Sequence, residues 1–191
     1  MTKAELRKQG REQRKNLSPE EAVVHSLSII QHFQEADFLR DIQVLHVFLP
    51  IRKQKEVDNW PLIHRIWESY PHIQVVTSVS DLETREMRHF PLTPDTPVVE
   101  NAWGIPEPEA EEMIAEERID LVLLPLLAFD RSGYRVGYGM GFYDRFLAKC
   151  RKDVRKVGFS FFGPSDRIDD VDRYDIPMDA CVTPEGCCYF R

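Results

Sequence analysis

Residues 135–147 read RVGYGMGFYDRFL, with glycines at 137, 139 and 141, an arginine at 135 and an aspartate at 144. Each residue type has a use beside phosphate. Glycine keeps side chains clear of main-chain N–H groups, and a helix N-terminus following the loop adds partial positive charge. Arg135 can offer a two-pronged guanidinium to phosphate oxygens. Asp144, just past Gly141, suits a magnesium ion, which takes one or two carboxylates together with water and phosphate oxygens. The same residues have a plainer use. Glycines also serve a tight turn that crosses another backbone, and an aspartate in a first helical turn complements the helix dipole. The spacing is neither the Walker pattern nor the dinucleotide fingerprint, so on these residues alone both uses stay open.

A loop of this kind needs rigid elements to hold it. It follows IDLVLLPLLAF (119–129), an almost wholly apolar run expected of a strand buried on both faces. Further strands are expected in IQVLHVFLP (42–50), HIQVVTSV (72–79), KVGFSFF (156–162) and ACVT (180–183). Helices are expected in LSPEEAVVHSLSIIQHF (17–33), PLIHRIWESY (61–70) and YDRFLAKC (143–150). The first of these carries its own start signal, with Ser18 as N-cap, Pro19 at the first helical position and Glu21 to close a capping box. Its apolar positions 23, 27, 30 and 33 share one face. Strands alternating with helices imply a mostly parallel sheet covered on both sides, with ligands beyond the carboxyl ends of its strands. The glycine loop lies in that place.

The 191 residues suit a single domain, and a net charge of −7 argues against bulk nucleic-acid binding. No apolar run is long enough for a membrane span, and the first residues have no apolar core of a secretory signal. The four cysteines (150, 181, 187 and 188) include no C-x-x-C pair, which points to a reduced, cytoplasmic protein. Charge is uneven. Lys3, Arg7, Lys8, Arg11, Arg14 and Lys15 make the N-terminus basic within an acidic chain. Such a segment is either a solvated helix face or one wall of an anion site.

The block LPLLAFDRSGYRVGYGMGFYDRFL (124–147) closely resembles the signature of the 5-formyltetrahydrofolate cyclo-ligase family, also called 5,10-methenyltetrahydrofolate synthetases. KAELR (3–7), LSPEE (17–21), EVDN (56–59), WGIPEP (103–108) and DRYDIPMDACVTPEG (172–186) fit the same family in the same order. The resemblance implies one α/β domain over residues 1–191, three layers deep, with a mostly parallel, Rossmann-like sheet flanked by helices. It implies a ligase that closes 5-formyltetrahydrofolate to 5,10-methenyltetrahydrofolate with ATP and Mg²⁺, releasing ADP and phosphate. ATP's γ-phosphoryl moves to the formyl oxygen, N10 attacks the activated carbon, and phosphate leaves. No protein nucleophile is needed, so the enzyme positions groups and stabilises charge.

Residue by residue, the resemblance implies that Arg135, Gly137, Gly139, Gly141 and Tyr143 hold the ATP phosphates, with Lys3 and Arg7 as the opposing wall. Asp144 and Asp175 match the family's magnesium-linked aspartates, and Arg135 with Asp144 would act in catalysis. Ile51, Glu56, Tyr138 and Phe142 match folate-contact positions. A carboxylate such as Glu56 can accept two parallel hydrogen bonds from the pterin's N–H groups. The chain departs from the family at Phe142, where a tyrosine is frequent, at Asp172 and Tyr174 before Asp175, and at Met140, where some members carry lysine. Trp103 is expected in the core, and the histidines are expected to be structural or exposed. Partners would be the two small-molecule substrates, with neither nucleic acid nor membrane, and the chain would be a monomer. The competing readings are another ATP-dependent phosphotransferase on a similar sheet, or a non-catalytic nucleotide-binding module.

Overall fold

The structure, a computed structural model, describes residues 1–190. Two helices come first, α1 (Lys3–Asn16) and α2 (Pro19–Glu35), and the chain then enters the sheet with β1 (Val44–His46). Helix α3 (Trp60–Ser69) leads to β2 (Gln74–Ser80) and β3 (Met87–Pro91). A short hairpin, β4 (Val98–Glu100) and β5 (Pro106–Pro108), precedes β6 (Leu121–Pro125). A second, β7 (Ala128–Phe129) and β8 (Arg135–Val136), leads into α4 (Phe142–Lys149). Strands β9 (Arg155–Phe159), β10 (Ala180–Thr183) and β11 (Gly186–Tyr189) follow.

The main sheet has seven strands in the order β11-β10-β9-β6-β1-β2-β3. Its inner strands pair in parallel, and only the edge strands β3 and β11 pair antiparallel. Leu121, Val122, Leu123 and Leu124 in β6 are all buried, as a strand covered on both faces requires. They divide by alternation. Leu121 and Leu123 join the core with Ile29 and Phe33 of α2 and Leu62 and Ile66 of α3. Val122 and Leu124 join the other core with Phe146 and Leu147 of α4. The expected three-layer α/β arrangement is therefore present.

Two local expectations change. Helix α2 begins as read, with Ser18 accepting from the Glu21 amide and the Glu21 carboxylate accepting from the Ser18 amide. Its buried stripe, however, is Ser26, Ile29, Ile30 and Phe33, while Val23 and Leu27 are exposed. The face against the core runs through Ala22, Ser26, Ile29 and Phe33, a step around the helix from the expected one, so Val23 and Leu27 face away from the core. The run 119–129 is also not one strand. After Pro125 the chain turns, and the Leu127 amide donates to the Val136 carbonyl, which starts the β7–β8 hairpin.

His46 and His89 are structural, as expected of the histidines. Both are buried against Phe146, with ring centroids 4.9 and 4.1 Å away, and neither ring nitrogen pair has a hydrogen-bond partner among the described residues. Burial keeps both imidazoles neutral, lowering His89 to about 4.

The connections place the site. From β1 the chain moves by α3 to β2 on one side, whereas β6 pairs on β1's other side and leads on to β9. The order of strands thus reverses between β1 and β6, and in sheets of this kind the ligand crevice lies beyond the carboxyl ends of the strands at that point. The segment 47–59 leaves one lip and the glycine loop leaves the other.

Candidate active site

Glycine-loop geometry starts with what its amides lack. Among the described residues, no main-chain N–H from Gly137 to Asp144 donates to a protein acceptor. Gly141 is the N-cap of α4, in the left-handed region at φ 70°, and it offers no side-chain cap. A helix start and its preceding loop therefore present a row of free donors, the arrangement that binds anions. Gly139 stands at φ 99°, and a Cβ there would come within 3.2 Å of the Arg7 guanidinium. At Gly139 a side chain is excluded both by the positive φ and by the cation of another element lying against it.

That element is α1. Its buried residues are Leu6, Gly10 and Arg14. Glycine in a helix interior costs up to about 1 kcal/mol relative to alanine, so Gly10 needs a packing reason. A Cβ there would sit 2.4 Å from the Leu127 carbonyl oxygen, so only glycine lets the helix lie on the segment after β6. Once seated, α1 aims one face at the crevice. Arg7 Nε donates to the Gly137 carbonyl at 2.9 Å. Lys3 Nζ meets Asp175 Oδ2 at 2.5 Å and Asp172 Oδ2 at 3.5 Å. The basic N-terminus, expected to be either solvated or a wall, is packed against the loop more than a hundred positions along the chain.

Arg135 and Asp144 form a second ion pair, at 2.9 Å, and the arginine side chain is almost wholly buried. Its other prong donates to the Ile176 carbonyl at 2.5 Å. Asp144 Oδ1 also accepts from the Ile176 amide at 3.1 Å. The loop arginine thus ties the start of α4 to the segment that carries Asp175. Asp144 Oδ2 and Asp175 Oδ1 have no hydrogen-bond partner among the described residues.

The other lip holds Glu56, which is buried. Its Oε1 accepts from the Tyr138 hydroxyl and its Oε2 from the Ile51 amide, each at 2.8 Å. Tyr138 lies between Gly137 and Gly139, so one residue of the glycine loop closes directly on the carboxylate. Burial raises the Glu56 carboxyl, while the Arg14 charge and these two donors work to keep it ionised. Burial likewise pushes up the phenols of Tyr138 and Tyr143, which remain protonated donors. Ile51, Glu56 and Tyr138, expected together at one ligand, are joined by hydrogen bonds.

The family model described as the 5-formyltetrahydrofolate cyclo-ligase family matches residues 1–184. The chain belongs to this family. It is 30% identical over 132 residues to the 5-formyltetrahydrofolate cyclo-ligase of Escherichia coli (strain K12), covering 68% of this chain and 72% of that protein. It is 25% identical over 177 residues to the enzyme of the same name from Haemophilus influenzae, covering 91% and 93%. The solution structure of Aquifex aeolicus 5,10-methenyltetrahydrofolate synthetase superposes with a TM-score of 0.82 at 30% identity, covering all of this chain and 94% of that one. This cyclo-ligase is thus an enzyme of the ligase class, and its family's reaction is the ATP-driven conversion of 5-formyltetrahydrofolate to 5,10-methenyltetrahydrofolate.

Two residues correct or extend the sequence reading of the cyclo-ligase. Trp103 is not in the core but 65% exposed. It sits in the turn between β4 and β5, where Asn101 Oδ1 accepts from the amides of Trp103 and Ile105. Gly104 beside it packs on Lys53, which puts an exposed aromatic next to the 51–56 segment. In the sequence Arg14 is one of several N-terminal cations. It is buried, and donates to the Leu126 carbonyl and to the Tyr138 hydroxyl. Nothing in its local sequence distinguishes it from Arg11 or Lys15. Phe142 stands at the first position of α4, partly buried against the core that holds Phe146.

Proposed function

We propose that the cyclo-ligase binds ATP with its phosphates along the free amides of Gly137–Asp144, under Lys3 and Arg7. Folate then lies toward Ile51, Glu56, Tyr138 and Phe142, with Trp103 at the rim. The row of amides without acceptors carries this reading, because unpaired main-chain donors beside cations favour an anion. Glu56 supports the folate side. As a carboxylate its two oxygens each hold one donor and keep lone pairs for the N–H groups of a pterin.

The donor set fits magnesium. Asp144 and Asp175 each keep one carboxylate oxygen unpaired, and their segments are joined through Ile176. Magnesium takes one or two carboxylates together with phosphate oxygens, so these two oxygens would suit an ion brought in with ATP. When bound, it would neutralise charge on the transferring phosphoryl group. The protein's own residues then position and stabilise. Lys3, Arg7 and the loop amides hold the triphosphate, and Glu56 orients the folate so that its formyl oxygen meets the γ-phosphoryl. N10 attacks the activated carbon and phosphate departs. We further propose a cytoplasmic setting, drawn from the bacterial relatives; the Arabidopsis thaliana relative is named as mitochondrial.

Purified protein mixed with 5-formyltetrahydrofolate, ATP and Mg²⁺ is expected to produce the methenyl product's absorbance, and omission of any one component to abolish it. Turnover without ATP, or none from folded protein, overturns the reading.

A further inference from the structure

Arg14 has an unusual situation for a cation. It is only 5% exposed, and among the described residues its hydrogen-bond partners are neutral, the Leu126 carbonyl oxygen and the Tyr138 hydroxyl at 3.1 Å. A buried guanidinium without a carboxylate against it is costly unless its charge is compensated nearby. The compensation lies one hydrogen bond further on, where the Tyr138 hydroxyl meets Glu56 Oε1 at 2.8 Å.

Directionality follows from elementary chemistry. Arginine has donors and no acceptor, so the Tyr138 oxygen must accept from it. The hydroxyl's own proton is then left to point at Glu56, and Glu56 must accept it. Its second oxygen accepts from the Ile51 amide, so neither carboxyl oxygen has a protein acceptor that would draw a proton onto it. The charged and titratable groups facing this carboxylate are Arg14 from α1, Tyr138 from the glycine loop and Tyr143 from α4, with the Arg11 guanidinium over the Tyr138 ring at 5.9 Å.

We propose that Arg14 is a positioning residue for the folate carboxylate, acting through Tyr138 to keep the buried Glu56 ionised and aimed. This rests on the reading of Glu56 as the pterin acceptor. It also gives α1 a double task. Arg7 and Arg14 are two helical turns apart and share a face, so one helix braces the glycine loop at Gly137 and the Glu56 chain at Tyr138.

The test compares Arg14→Gln, Arg14→Lys, Tyr138→Phe and Glu56→Gln in steady-state kinetics across pH. Loss of the Arg14 charge lets burial raise the Glu56 carboxyl further, so the acid limb of kcat/KM for folate moves up by about one pH unit, a loss of about ten-fold at a given pH on that limb. KM for ATP is expected to stay near the parent's. Arg14→Lys keeps the charge and holds the limb near its original position. Tyr138→Phe breaks the chain without removing Arg14 from the Leu126 carbonyl, so it informs even if Arg14→Gln folds poorly. It is expected to weaken folate binding, and with Arg14→Gln to give a double variant no worse than the poorer single one.

An unmoved acid limb in both Arg14→Gln and Tyr138→Phe overturns the proposal, as does an equal loss for ATP and folate with Gln and Lys alike. Normal folate binding by Glu56→Gln overturns the underlying reading instead. Weakened folate binding by Glu56→Gln beside an unchanged Arg14→Gln profile overturns the role of Arg14 alone.

Discussion

Asp144 and Asp175, on the glycine-loop side of the crevice, each meet a cation directly, Arg135 at 2.9 Å and Lys3 at 2.5 Å. Both carboxylates are partly open to solvent and each keeps an oxygen free. Glu56, on the other side, is buried, has no cation in contact, and is held by a hydroxyl and an amide at 2.8 Å. The contrast matches two kinds of ligand. On the proposed reading a triphosphate would bring negative charge, and a side built from ion pairs could exchange their partners for phosphate and metal. A pterin edge is flat and mostly neutral and would need one acceptor fixed in direction, which the burial of Glu56 and its hydrogen-bonded chain would provide on that reading.

The largest effect is expected at Asp144. Asp144→Asn keeps size and one acceptor but removes the charge, and turnover is expected to fall about 100-fold or more, as when a transition-state charge contact is lost. The melting temperature is expected to fall as well, because the buried Arg135 loses its charged partner even though the amide oxygen can still accept from Arg135 and Ile176, so turnover is compared below the onset of unfolding. Kinetics over a range of Mg²⁺ check this. Near-normal turnover at limiting Mg²⁺ would leave Asp144 as a bracket for Arg135 and a complement to the helix dipole.

Glu56→Gln asks the matching question of the other side. The substitution exchanges an acceptor for a donor in a buried place, which is expected to weaken folate binding by about 1–3 kcal/mol. Nucleotide binding is expected to stay unchanged. Titrations of each ligand alone check it, and the reverse pattern would erase the distinction between the two sides.

How legible was this in the chain? Runs whose burial is decided by local pattern were legible. The apolar stretch at 121–125 reads as a strand covered on both faces, and Ser18, Pro19 and Glu21 announce α2. Short pairs such as β4–β5 and β7–β8 were not, since two or three residues become strands only when a partner lies alongside. Helix α1 was hidden for a related reason. Its buried residues are Leu6, Gly10 and Arg14, with no apolar stripe to mark them. On the site, the glycines and Arg135 suggested phosphate from their own chemistry, and the free amides agree with that. Glu56 within KQKEVDN reads as a surface charge and was raised only by resemblance. Trp103 was misplaced because a tryptophan in a turn has no pattern to show that nothing covers it.

The smallest effect on the unliganded protein, and the finest test of exchangeable pairs, is at Lys3. Its ammonium and the Asp175 carboxylate are only 20% and 17% exposed, more sheltered than an ordinary surface pair. Exposed pairs contribute about 0.2–1 kcal/mol, and Asp175 would keep the Asp172 amide at 2.7 Å after Lys3→Met. A loss near 1 kcal/mol corresponds to about 2–4 °C in a domain of this size, so the unliganded melting temperature is expected to fall by no more than that. ATP changes the comparison. If Lys3 serves the triphosphate, the variant loses a ligand contact as well as a strap. A ten-fold weaker ATP site, at concentrations well above Kd, gives up about 1.4 kcal/mol of ligand-induced stabilisation. The expected result is therefore a modest drop without ligand, a clearly smaller ATP-induced shift than the parent's, and an unchanged folate-induced shift. Thermal unfolding of variant and parent without ligand, with ATP and with folate separates these. Equal ATP shifts in variant and parent would make the Lys3–Asp175 pair a fixed strap for α1, leaving Arg7 and the loop amides to hold the phosphates. That outcome would remove the contrast at this one pair while leaving it intact at Asp144 and Glu56.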